Sequence, residues 1–121
     1  MEQYILDEKG TPVHEPDITK WGQWFIKADR HVGNETIGNS QISTVFLGLD
    51  HAFGGGVPVL WETMVFGGKL DQVQDRCSGS REQAEAMHAR MVERVTTIHN
   101  KLSLAGGQEA PCLDQINSAV S

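Results

Sequence analysis

The side chains best able to do chemistry in this chain are His51, His88 and Glu62, with Asp50 beside the first of them. Two imidazoles and a carboxylate form a donor set that holds a divalent cation. Asp50 and His51 stand where an apolar run gives way to a glycine-rich stretch. Such strand-to-loop boundaries are a usual place for working residues. Glu62 falls on the next apolar run, and His88 lies at the edge of a long helical stripe that could face the others across a sheet. A metal site of His51, Glu62 and His88, with Asp50 as a further oxygen donor, is one expectation. The competing expectation is structural: Asp50 caps a turn, His51 is exposed, and His88 is a hydrogen-bonded, half-buried histidine. No H-E-x-x-H or comparable local motif favours the metal.

A second candidate is a ligand loop. Asp50, His51, Phe53, Gly54, Gly55 and Gly56, with Trp61 beyond them, could bind a small molecule or nucleotide, the glycine amides cradling a phosphate. Phosphate loops of the familiar kind lead into a helix and carry a lysine. This one joins two strands and has none, so a flexible hairpin loop is the simpler account. Nucleophilic catalysis has little to build on. Ser43 and Thr44 are mid-strand, no G-x-S-x-G occurs, and Cys77 has Arg76 beside it but no histidine in a recognisable motif. Neither a reaction nor a cofactor is specified. Asp29-Arg30-His31 reads as the end of a first helix, its basic pair suiting the helix dipole. Trp24, Phe53 and Trp61 are either core or a recognition patch.

The elements that must position these residues follow from periodicity. Tyr4-Ile5-Leu6 and Thr11-Pro12-Val13 flank a turn at Asp7–Gly10, a small hairpin whose proline confines the return strand to an edge. Asp17 is an N-cap, and Ile18, Trp21, Phe25 and Ala28 share one helical face, with Gly33 as the stop. Residues 42–49 and 59–66 are rich in strand formers, and the glycine loop joins them as a long hairpin. Residues 34–37 and 72–77 extend it to an antiparallel meander of three or four strands. Val45, Leu47 and Leu49 oppose Ile42 and Phe46, while Trp61 and Val65 oppose Leu60, Met64 and Phe66. Both faces are therefore apolar, which predicts helices on both sides or a second copy against one. Ser80 with Gln83 is a capping box, opening a helix over 81–103 whose stripe is Ala84, Met87, His88, Met91, Val95, Ile98 and Leu102. The chain reads as one α+β domain over 1–103 and a tail over 104–121, either a short helix or disordered.

At 121 residues, 39% hydrophobic and 21% charged, the composition suits a single core. A net charge of −6 argues against nucleic-acid backbone and anionic membrane as partners. Cys77 and Cys112 match no zinc or C-x-x-C spacing, and no apolar run approaches a membrane span or signal peptide, so a reducing cytoplasm is expected.

The run Ser43-Thr44-Val45-Phe46-Leu47-Gly48-Leu49-Asp50-His51, then Phe53-Gly54, Pro58 and Glu62-Thr63-Met64-Val65-Phe66-Gly67-Gly68, resembles a family of small proteins encoded by bacteriophages and prophages. Tyr4-Ile5-Leu6-Asp7, Gly10 and Pro12-Val13 are similar to its start. Trp21, Trp24-Phe25, Ala28-Asp29-Arg30 and Glu85, His88, Met91-Val92-Glu93 are similar to its helices. The likeness spans about residues 4 to 95. It departs at Cys77-Ser78-Gly79-Ser80-Arg81, where the family is expected to be aromatic-rich. The resemblance implies an accessory factor in the cytoplasm of the host bacterium, binding and inhibiting a host or defence protein. It implies context more than activity.

Overall fold

The computed structural model describes residues 1–52 and 55–106, and the chain folds as an α+β protein. β1 (Tyr4–Leu6) and β2 (Pro12–His14) form the expected hairpin, and α1 (Ile18–Lys27) follows. Next come β3 (His31–Ile37), β4 (Ser40–Phe46), β5 (Trp61–Phe66) and β6 (Gln74–Cys77), an antiparallel meander in chain order. α2 (Arg81–Gly106) closes the described chain. The hairpin is tied to the continuation of β4: the Tyr4 N–H donates to Gly48 O at 2.8 Å and the Asp50 N–H to Glu2 O at 2.9 Å.

The caps form as their residue types require. Asp17 Oδ1 accepts from the N–H groups of Thr19 and Lys20. At the start of α2, the Gln83 N–H donates to Ser80 Oγ and the Ser80 N–H to Gln83 Oε1, each at 3.2 Å. The first helix, however, stops at Lys27 rather than at Gly33. Ala28 turns extended (φ −77°, ψ 142°), and Gly33 lies inside β3. Asp29-Arg30-His31 is therefore no helix end. Asp29 Oδ1 accepts from the His31 N–H, and the Arg30 guanidinium donates to Phe46 O at 2.9 Å while lying over the Phe25 ring. Tertiary partners for Arg30, not the helix dipole, fix this segment.

α2 packs on one face of the meander. Ile42, Thr44 and Phe46 of β4 and Trp61, Thr63 and Val65 of β5 all point at it and are fully buried. Two apolar clusters result. Ala84 and Met87 meet Phe46, Leu60 and Trp61, while Met91 and Val95 meet Ile42 and Val65. Each large side chain so buried contributes about 1.5–3 kcal/mol. The predicted stripe holds as far as Val95; Leu102 is half exposed. α2 also runs three residues past the expected end at 103, and the rest of the predicted tail, with Cys112, lies outside the described residues.

No described helix or strand packs on the opposite face of the sheet. Helices on both sides, one of the two arrangements expected for this sheet, are thus not found among the described residues.

Candidate functional site

Between the two apolar clusters runs a line of polar side chains. Thr63 Oγ1 and Thr44 Oγ1 lie 2.5 Å apart across the β4–β5 ladder. Thr44 Oγ1 is 2.7 Å from His88 Nδ1, and His88 Nε2 is 2.5 Å from Glu35 Oε1 on β3. Both threonines are fully buried and His88 is 7% exposed, whereas the Glu35 carboxylate reaches solvent. Hydrogen-bond logic assigns the protons. Glu35 as a carboxylate accepts from Nε2–H, so in a neutral ring Nδ1 accepts from the Thr44 hydroxyl, and Thr44 in turn accepts from Thr63. The reverse direction leaves the Thr63 hydroxyl proton with no acceptor among the described residues. Gly33 lets His88 in: a Cβ there would stand 2.6 Å from Nε2.

This line resembles a nucleophile–base–acid arrangement, but its hydroxyls are sealed from any substrate. Its chemistry is structural. It satisfies a buried histidine and joins α2 to three strands, a fully connected network of the kind that fixes one packing register. Glu35 also aims a charge inward from an edge strand, and β3 carries an irregularity between His31 and Gly33. Both devices oppose edge-to-edge aggregation.

The metal set predicted from sequence does not assemble. His88 faces Thr44 and Glu35. Glu62 points to the opposite side of the sheet, where Arg76 Nε donates to its Oε2 at 2.8 Å. The alternation of β5 decides this: Trp61 and Thr63 face α2, so Glu62 between them cannot. Among the described residues no three His, Cys, Asp or Glu side chains converge as a cation requires. Of the two readings of His88, the hydrogen-bonded buried one describes it.

The loop residues also take structural partners. Asp50 Oδ1 accepts from the N–H groups of Ala52 at 2.8 Å and Val59 at 2.9 Å, clamping the two ends of the loop. Those two donors hold the Asp50 carboxyl below its ordinary value of 3.8. His51 Nδ1 donates to Leu49 O at 2.8 Å. Gly55 and Gly56 line the outer part of the loop; Phe53 and Gly54 lie outside the described residues. Trp61 is no ligand platform: it is fully buried, stacks edgewise on Phe46 at 4.9 Å and donates Nε1–H to Gly79 O. Trp24 packs edgewise on the same Phe46. Cys77, half-buried on β6, has its thiol pKa raised, first by burial and then by Asp75. The neighbouring Arg76, bonded to Glu62, does not activate it.

The uncovered face of the sheet is the remaining surface of note. By register it carries His31, Val45, Glu62 and Arg76 in one row and Asn34, Ser43, Met64 and Gln74 in the next, with Thr36, Gln41 and Phe66 beyond. Phe66 is 46% exposed, and Val45 and Met64 are partly so. Sequence reasoning set Val45 against Ile42 and Phe46 in one strand, and Met64 and Phe66 against Trp61 and Val65 in the next, as the structure does; Leu60, grouped with Met64, is instead buried in the cluster with Trp61. It missed Glu35, Thr44 and Thr63 as partners of His88. Their signal was faint: threonines at inward positions of two adjacent strands, and a glycine inside a third.

Compared with known proteins, the chain matches no family model, no curated protein and no solved structure. No described helix is long and apolar enough to cross a membrane.

Proposed function

We propose that the protein acts by occupying a partner protein, with the uncovered face of the meander as its contact surface. One observation carries this reading: Val45, Met64 and Phe66 form an apolar strip on a sheet face that no described element covers, rimmed by polar side chains and the Glu62–Arg76 pair. That is the anatomy of a protein contact, an apolar centre with a polar rim. The Thr63–Thr44–His88–Glu35 line stiffens the sheet from behind, so less ordering entropy is lost on binding.

Four strands about 4.8 Å apart and about 20 Å long present a footprint on the order of 400 Å². That is below the ~800 Å² per partner of a standard stable interface. The size favours a regulated, reversible contact over a permanent homodimer. The resemblance of residues 43–68 to phage and prophage proteins supports a host or defence protein as the target, met in the host cytoplasm and inhibited by occupancy. Reading the protein as a metal-dependent enzyme or a nucleotide binder draws no comparable support, because Asp50, His51 and Glu62 are engaged by backbone or by Arg76.

The test is site-specific photocross-linking. A photoreactive phenylalanine analogue at position 66 should give a discrete adduct with a host protein, and one at exposed Ile26 on α1 should not. Phe66→Asp should abolish capture while His51→Ala leaves it intact. Equal capture from both positions, or capture indifferent to Phe66→Asp, would overturn the reading.

A further inference from the structure

We propose that the cleft between the last turns of α2 and the turn after β5 binds a small organic acid. Its carboxylate would sit at Gly68–Leu70 and its apolar body against α2. This goes beyond the protein-partner reading and stands independently of it, on a different part of the molecule.

The cleft has a volume of ≈ 230 Å³, and Gly68, Lys69, Leu70, Val95, Ile98 and His99 are among its walls. Gly67 and Gly68 both have positive φ, 84° and 77°. A Cβ on Gly68 would fall 2.1 Å from Ser40 Oγ, so the turn's path depends on glycine. That path leaves the N–H groups of Gly68, Lys69 and Leu70 without an acceptor among the described residues. The flanking amides are used: Gly67 N–H donates to Asp71 Oδ1 and Asp71 N–H to Gly68 O. Backbone amides left free in a glycine turn suit an anion. Lys69 adds an ammonium, and no described carboxylate lies within ion-pair distance of it. Asp71, the nearest acid in sequence, is already bonded to Gly67 and the Gln72 side chain.

His99 supplies a separate observation. Its ring presses on Gly38, and its Nε2 is shut off from solvent with no hydrogen-bond partner. A buried polar atom left unpaired is costly, and each such atom in a folded protein calls for an explanation. A carboxylate held at the turn gives this nitrogen a partner once the ring turns toward it across the cleft. The opposite wall is apolar: Val95 is 3% exposed, and Ile98 and Leu70 flank it. Amides and an ammonium on one side select a carboxylate, and hydrocarbon on the other selects an aliphatic body. The volume lies below the ~300 Å³ at which drug-sized sites begin, so the ligand is small.

The test is an amide NMR titration of the full chain with hexanoate. Saturable shifts are expected at Gly68, Lys69 and Leu70 and on the His99 ring. Lys69→Ala, at an exposed turn, should keep the folded spectrum and weaken binding about tenfold, the loss of one charge-assisted contact. Hexanol should give no saturable shifts at these amides, and acetate or inorganic phosphate should bind more weakly than hexanoate. Phe66→Asp should leave hexanoate binding unchanged, which separates this site from the proposed partner surface. Equal shifts with hexanol would overturn the carboxylate assignment, and equally tight acetate or phosphate the apolar one. No saturable response at Gly68–Leu70 would overturn the site.

Discussion

Gly33→Ala isolates the His88 line better than any change to His88 itself. Gly33 sits in a strand without positive φ, so alanine meets no backbone objection there. The three atoms nearest the added methyl all belong to the imidazole: 2.6 Å to Nε2 and 2.8 Å to each of Cδ2 and Cε1. Those separations are too short, so the ring must move, and moving it strains the 2.5 Å contact with Glu35 and the 2.7 Å contact with Thr44. Overpacking of this kind costs about 1–3 kcal/mol. The lost contact to Glu35 adds at most about 1 kcal/mol, because that carboxylate reaches solvent and rehydrates. A total of about 1–4 kcal/mol, at about 4–5 °C per kcal/mol for a domain of this size, lowers Tm by about 4–20 °C. Urea unfolding followed by tryptophan emission measures it. His88→Ala removes the obstacle, so adding Gly33→Ala to that variant should cost less than about 0.5 kcal/mol. A Gly33→Ala protein within about 0.5 kcal/mol of the parent, or simple additivity in the double variant, would refute the packing argument.

Further expectations rest on the same geometry. Thr44→Val leaves His88 Nδ1 without a donor and should cost about 1–3 kcal/mol; Thr63→Val strands no donor and should cost less, and equal costs in urea unfolding would contradict the proton assignment. Asp50 has a folded-state pKa below its unfolded value, so its stabilising effect is present above the ordinary 3.8 and lost as pH falls through the depressed folded value. Asp50→Asn should therefore lower stability at neutral pH and flatten the acid limb of the Tm-versus-pH curve below about 4; an unchanged acid limb would remove Asp50 as the loop clamp. Cys77, its thiol pKa raised by burial, should react with an alkylating agent more slowly than a free thiol until alkaline pH; mass spectrometry of the peptide holding Cys77, which separates it from Cys112, decides. Trp61, fully buried, should emit at short wavelength and resist iodide, tested by leaving it as the sole tryptophan with Trp21→Phe and Trp24→Phe.

Short-range chemistry was legible in the sequence by itself. The Asp17 cap, the Ser80–Gln83 box and the stripe from Ala84 to Val95 are satisfied within four residues or one helical period, so residue type and spacing suffice to predict them. The β4–β5 hairpin and the division of its side chains between two faces follow from alternation in the same way. The end of α1 did not follow, because Arg30 finds its hydrogen-bond partner at Phe46, in a strand formed later in the chain. The His88 line joins residues 53, 44 and 19 positions apart, and no local pattern encodes such pairs. Strand register brought Glu35, Thr44 and Thr63 to one face, Thr44 and Thr63 in one row and Glu35 in the next, and the same register sent Glu62 to the other face beside Arg76. A shift of one residue would exchange those faces. What the imidazole meets was therefore decided by tertiary pairing, since a side chain's chemistry is local but its partners are chosen by the fold.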